Sequence, residues 1–114
     1  MEYLDLIIAV DFDGTLCQDM YPHIGPANDH LIRELIEIRK KGAKLILWTC
    51  RGGNELQDAV SFCKKHGLLF DAVNENLPES IEKYGGDSRK ITADVYIDDK
   101  GMKPWENILK MRTA

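Results

Sequence analysis

Asp11 and Asp13 stand either side of one phenylalanine in Asp11-Phe12-Asp13-Gly14-Thr15, directly after the apolar run Leu6 to Val10. Residues two apart at a strand end project to the same side, so this spacing puts the two carboxylates in one small volume and turns Phe12 toward a core. Paired acids divide labour: one stays ionised and attacks, while the other donates and accepts a proton. Gly14 lets the backbone turn sharply and approach an anion closely. An acidic surface turn with glycine would explain these five residues equally well if they stood without partners.

Partners are present. Asp98 and Asp99 follow the run Asp94 to Ile97 and supply a second pair of hard oxygen ligands. With Asp11 they suit Mg²⁺, which takes few carboxylates and keeps waters and a substrate phosphate. Without a cation, such a cluster would repel both itself and a phosphate. Thr49 ends another run and offers a hydroxyl to a phosphoryl oxygen, with the backbone N–H groups of Cys50 and Arg51 as further donors at the start of a helix. Gly52 and Gly53 permit close approach. Lys90, shortly before the last run, reaches the same rim to neutralise developing charge, with Lys83 as the fallback, although a lone lysine is usually a solvated surface charge. Cys50 has no histidine at a telling spacing and reads as a small packing thiol rather than a nucleophile.

The elements that must position these residues are written in the hydrophobic pattern. Leu6 to Val10, Lys44 to Trp48, Leu69 to Val73 and Asp94 to Ile97 alternate with helical patterns, which predicts a parallel α/β sheet. A helix from about Ala27 to Lys41 has Leu31, Ile32, Leu35, Ile36 and Ile38 at helical spacing, Pro26 suited to the first turn and Gly42 as its stop. A second follows Asn54 as N-cap, with Leu56, Ala59, Val60 and Cys63 on one face and Gly67 as terminator. Pro78 and Pro104 read as first-turn prolines of shorter helices. Each apolar run ends in a polar group: Asp11, Thr49, Asn74, and Asp98 with Asp99. Ligands of open α/β sheets bind outside the carboxyl ends of the strands, so these positions gather on one rim. Selectivity falls to Asn74, Glu75, Asn76 and the connection Cys17 to Gly25. Met20, Tyr21, Pro22, His23 and Ile24 make that connection too apolar for an idle loop, and it reads as a flap beside the site or a loop packed on its own domain.

The 114 residues are expected to form one domain over 1–114, and the 44% apolar content is near the globular average. A net charge of -4 offers no general attraction for nucleic acid, which enters only as a phosphate-bearing substrate. Three cysteines without CxxC spacing argue for reduced thiols and a cytoplasmic protein, and no apolar run approaches the ~20 residues of a membrane span. A homo-oligomer stays open.

In order and spacing, Asp11-Phe-Asp-Gly-Thr15, Thr49, an upstream lysine and Asp98-Asp99 resemble the four motifs of the haloacid-dehalogenase-like (HAD) phosphohydrolases over nearly the whole chain. The resemblance implies a Rossmann-like sheet flanked by helices and phosphoryl transfer through an aspartyl phosphate. Asp11 would be nucleophile and Mg²⁺ ligand. Asp13 would be the general acid/base and give a backbone carbonyl to the metal. Thr49 and Lys90 would hold the phosphoryl group, Asp98 would complete the metal site and Asp99 support it. Asp13 separates the pattern from the family's phosphate-transfer ATPases, which carry threonine there. Many relatives insert a cap domain that selects substrate; this chain looks capless. Two other classes compete. A phospho-accepting receiver module has similar residues but puts its acidic pair early and its acceptor aspartate on a middle strand, and a catalytically idle binding domain would not need four intact aspartates.

Overall fold

The computed structural model describes residues 2–84, 91 and 93–98. Lys90, Asp99 and Pro104 lie outside the described residues. In chain order the elements are β1 (Ile7–Val10), β2 (Cys17–Met20), β3 (His23–Ala27), α1 (Asp29–Lys40), β4 (Lys44–Leu47), α2 (Gly53–Lys65), β5 (Ala72–Val73), α3 (Pro78–Tyr84) and β6 (Val95–Ile97). The expected α/β architecture is present: a small Rossmann-like domain whose four-stranded sheet has the order β5-β4-β1-β6, with every pair parallel. The order runs outward from β1 through β4 to β5, then returns to set β6 against the other edge of β1. That reversal opens a crevice at the carboxyl ends on either side of β1.

β1 and β4 read as unbroken apolar runs because both of their faces are covered. On one face Ile8, Val10, Leu45 and Leu47 meet Leu31, Leu35 and Ile38 of α1 and Ala59 and Cys63 of α2. On the other, Ala9, Ile46 and Ala72 meet Leu77 and Ile91. Phe12 is buried where the chain leaves β1 and meets Phe62 edge-on, ring centroids 5.7 Å apart.

Several boundaries differ from expectation. α1 starts at Asp29, and its cap is Asn28, whose side chain accepts from the Leu31 N–H. Pro26 and Ala27 belong to β3 instead, where a proline is tolerated at a sheet edge because it has no N–H to donate. α2 starts at Gly53 with Gly52 as its cap and no side-chain capping bond, so Asn54 lies in the first turn. The run Leu69 to Val73 pairs only at Ala72–Val73, since Asp71 spends its carboxylate on the Leu45 N–H (2.8 Å) and on Arg39. The connection from Cys17 to Gly25 is an antiparallel hairpin, β2 against β3, turning through Tyr21 and Pro22. Its base is tied to the first motif: the Asn28 backbone N–H donates to Leu16 O (2.8 Å) and its side chain to Thr15 O (3.1 Å).

Candidate active site

The sheet's hydrogen-bond ladder continues one step past β1: the Asp11 N–H donates to Ile97 O (2.8 Å) and the Trp48 N–H to Val10 O (2.9 Å). Those two bonds fix the carboxyl ends of β1, β4 and β6 side by side. A cleft of about 260 Å³ opens there, lined by Asp11, Trp48, Thr49, Cys50 and Asp98. Asp11, Thr49 and Asp98 are therefore brought together as the chain pattern predicts. Trp48 forms one wall, its ring tilted 60° against Tyr96. Cys50 is exposed at the cleft, not the packing thiol expected.

Asp13 goes elsewhere. Its carboxylate does not line the cleft beside Asp11 but takes a two-pronged bond from Arg51, Nε to Oδ2 and Nη2 to Oδ1, both 2.8 Å. The remaining Arg51 donors reach Pro22 O and Glu55 O (3.2 Å each) and His23 O (2.9 Å). Arg51 is 2% exposed, and its guanidinium lies 5.0 Å from the ring centres of both Phe12 and Tyr21. Its bonds to Asp13 push Arg51 above its ordinary pKa, outweighing burial, so the cation is permanent. The Arg51 backbone N–H, expected to face a phosphate, donates to Thr49 Oγ1 (3.2 Å). A hydroxyl that accepts one bond still has its own hydrogen to give, so Thr49 can donate to a phosphoryl oxygen.

Asn74 shapes this turn from the neighbouring strand. Its Oδ1 accepts from the Thr49 N–H (2.8 Å), its side-chain amide donates to Arg51 O, and its backbone stands at φ 54. Asparagine is among the few residues that tolerate this left-handed conformation. Asn74, expected on the rim, is there but acts on the Thr49 turn, and the Arg51 side chain is the participant that motif reasoning missed. For Asn74 a signal existed, an asparagine directly after a strand. For Arg51 there was none, because Asp13, Pro22 and His23 are 38, 29 and 28 residues away in the chain. Asn76, expected at a selectivity surface, is buried, whereas Glu75 is exposed. At the first motif Gly14 has φ 81 and donates its N–H to Cys17 O, closing the turn that follows Asp13.

Lys83, the fallback lysine, lines a pocket with Ile7, Lys44 and Asp94. Those three residues start or precede their strands, so Lys83 is at the opposite end of the sheet from Asp11. The two remaining cysteines are inert: burial, then the nearby Asp13, pushes the Cys17 thiol up, and burial pushes Cys63 up to about 12.

Among the described residues no three His, Cys, Asp or Glu side chains are grouped to hold a metal, and no helix is long and apolar enough to cross a membrane. No protein-family model matches the chain, and no curated protein matches it. It is similar to the solved structure of a conserved protein coded by a locus from Bacteroides thetaiotaomicron, with 38% sequence identity over 95% of this chain and 89% of that one, and a TM-score of 0.81.

Proposed function

This chain belongs to the same family as the conserved Bacteroides thetaiotaomicron protein, and we propose that it is a HAD-like, Mg²⁺-dependent phosphomonoester hydrolase acting through an aspartyl phosphate. The observation that carries this reading is the shared cleft of Asp11, Thr49 and Asp98, drawn from three adjacent strand ends. A carboxylate nucleophile, a phosphate-directed hydroxyl and a second carboxylate are the parts phosphoryl transfer needs.

The donors fit a hard cation. Asp11 and Asp98 offer oxygens from two strands, and Asp13 has spent its side chain on Arg51 and has only its carbonyl to give. Two carboxylates completed by waters and substrate oxygens suit Mg²⁺, so a third clustered side chain is not required. Such a cation would neutralise phosphate charge as the transfer proceeds. Asp11 would attack the phosphorus as the bond to the leaving oxygen breaks, while Thr49 holds a phosphoryl oxygen. Asp13, having taken up a proton from solvent on the oxygen that leaves Arg51, would give it to the leaving oxygen and then take one from the water that attacks phosphorus. That second attack breaks the bond to Asp11 and restores its carboxylate. To serve the leaving group, Asp13 must turn one oxygen away from Arg51.

A panel of phosphoesters assayed with and without Mg²⁺ tests the proposal. Turnover of at least one phosphomonoester that vanishes in excess chelator and returns with Mg²⁺ is expected. Full activity in chelator would remove the metal assignment, and no turnover across the panel would remove the hydrolase.

A further inference from the structure

An arginine has five N–H donors in a fixed planar fork, and in Arg51 all five end on protein oxygens. Nothing remains to offer a substrate, although the residue is within two positions of Thr49. What the fork joins is informative. Two donors hold Asp13, two hold the carbonyls of Pro22 and His23 at the hairpin tip, and one holds Glu55 in α2. The Phe12 and Tyr21 rings fix the plane from their own sides.

The hairpin needs such a tie. A two-stranded hairpin is marginal by itself, and β2 buries only Cys17. Asn28 secures its base, while Met20 and Tyr21 at the tip are 49% and 56% exposed. We infer that Arg51 is a positioning residue that couples the hairpin tip to the Asp13 carboxylate, so that a leaving group pressing on Tyr21 also sets where Asp13 points. This rests on the reading of Asp13 as the proton carrier. The fork is rigid and already saturated, so a shift at one end must be met by a shift at the other. Coupling of this kind is reciprocal. A lysine, with a point charge and three donors on a flexible stem, cannot hold both ends at once.

The test uses the full chain in two arms. The first follows amide hydrogen exchange in wild type, Arg51→Lys and the near-isosteric Asp13→Asn, which cuts the link at the end remote from the hairpin tip. Exchange at His23 and Ile24 is expected to quicken about tenfold or more in both variants while β1 and β4 amides keep their protection. Unchanged hairpin exchange in Asp13→Asn overturns the coupling, even if Arg51→Lys fails to fold. The second arm compares alkyl and activated aryl phosphates. Misplacement near 1 Å can cost about 10²-fold, so Arg51→Lys should lower kcat on the alkyl ester by that order, lower it less on the aryl ester and leave KM unchanged. Equal losses on both esters, as loss of folded enzyme would give, or a rise in KM would overturn the positioning role. A wild type without phosphatase activity defeats the proposed function, and the exchange arm still decides the coupling.

Discussion

Asp11 and Asp13 are two residues apart yet sit in different surroundings, one lining the open cleft and the other gripped by a buried cation. Their amide variants should therefore fail differently. On the proposed mechanism Asp11→Asn removes the attacking oxygen, so no phosphoenzyme should appear with any substrate. Asp13→Asn keeps the nucleophile and removes proton transfer, a loss of about 10²- to 10⁴-fold that should be severe for alkyl and milder for aryl esters. Burst kinetics and intact mass of both variants check this; equal residual activity without leaving-group dependence would refute the division of roles. Asp11 and Asp98 were legible in the chain because each directly follows a strand that ends at the rim, whereas the two-residue spacing misplaced Asp13, whose carboxylate goes to Arg51. The arginine was not legible, since contacts across 38 residues leave no local pattern. Cys63 carries a residue-level consequence of burial. Its thiol ionises at about 12 when folded, against roughly 8.5 in an unfolded chain. Above the lower value the unfolded state holds fewer protons, so stability is full below it and is lost as pH rises toward the upper one, by up to about 1.4 kcal/mol per pH unit. Urea midpoints from about pH 8 to about pH 10 should fall less steeply in Cys63→Ala than in wild type; an identical slope would refute the assignment.

At the scale of elements, the hairpin shows why periodicity stops short. Helices α1 and α2 announce themselves by apolar stripes, and β1 and β4 by continuous apolar runs. β2 has one buried residue and three exposed ones, so nothing in Cys17–Met20 distinguishes strand from loop. Pro26 misled for a related reason, because both a first helical turn and an edge strand accept a residue without an N–H. The structure also exposes a constraint that composition hides. A Cβ on Gly25 would stand 2.4 Å from the Gln18 carbonyl oxygen, so any side chain there must push β2 and β3 apart. Gly25→Ala should cost about 1–3 kcal/mol, read as a lowered Tm. It should also speed proteolysis within the hairpin, while the circular-dichroism helix signal persists below the transition. A Tm equal to wild type would show that the hairpin yields at no cost.

For the whole molecule, the strand order makes the cleft a long-range product: Asp11 N–H bonds Ile97 O, and β1 registers with β6 from Ile8 against Val95 to Val10 against Ile97. The alternation of apolar runs and helical patterns was enough to read the sheet and the rim where Asp11, Thr49 and Asp98 meet, but not the order β5-β4-β1-β6, because a parallel strand can dock on either side of its predecessor. Ile97 is buried in the core beside the cleft-bearing end of the sheet. Ile97→Asp would bury a charge without a partner, and breaking a buried pair of this kind gives a scale of about 3–5 kcal/mol. Cooperative unfolding at lower urea and loss of any activity are expected together, and an active, stable variant would show that β6 is dispensable.

The central position of β1 also bears on how the protein is made. One edge of β1 is taken by β4, but the other must wait for β6, which the ribosome delivers more than 80 residues later. At about 5–20 residues per second, that edge stands open for several seconds on every nascent chain. It is apolar on both faces and free to pair with another molecule's strand. A strand delivered late thus closes the sheet, and chaperone supply should matter more to this protein's yield than its small size suggests.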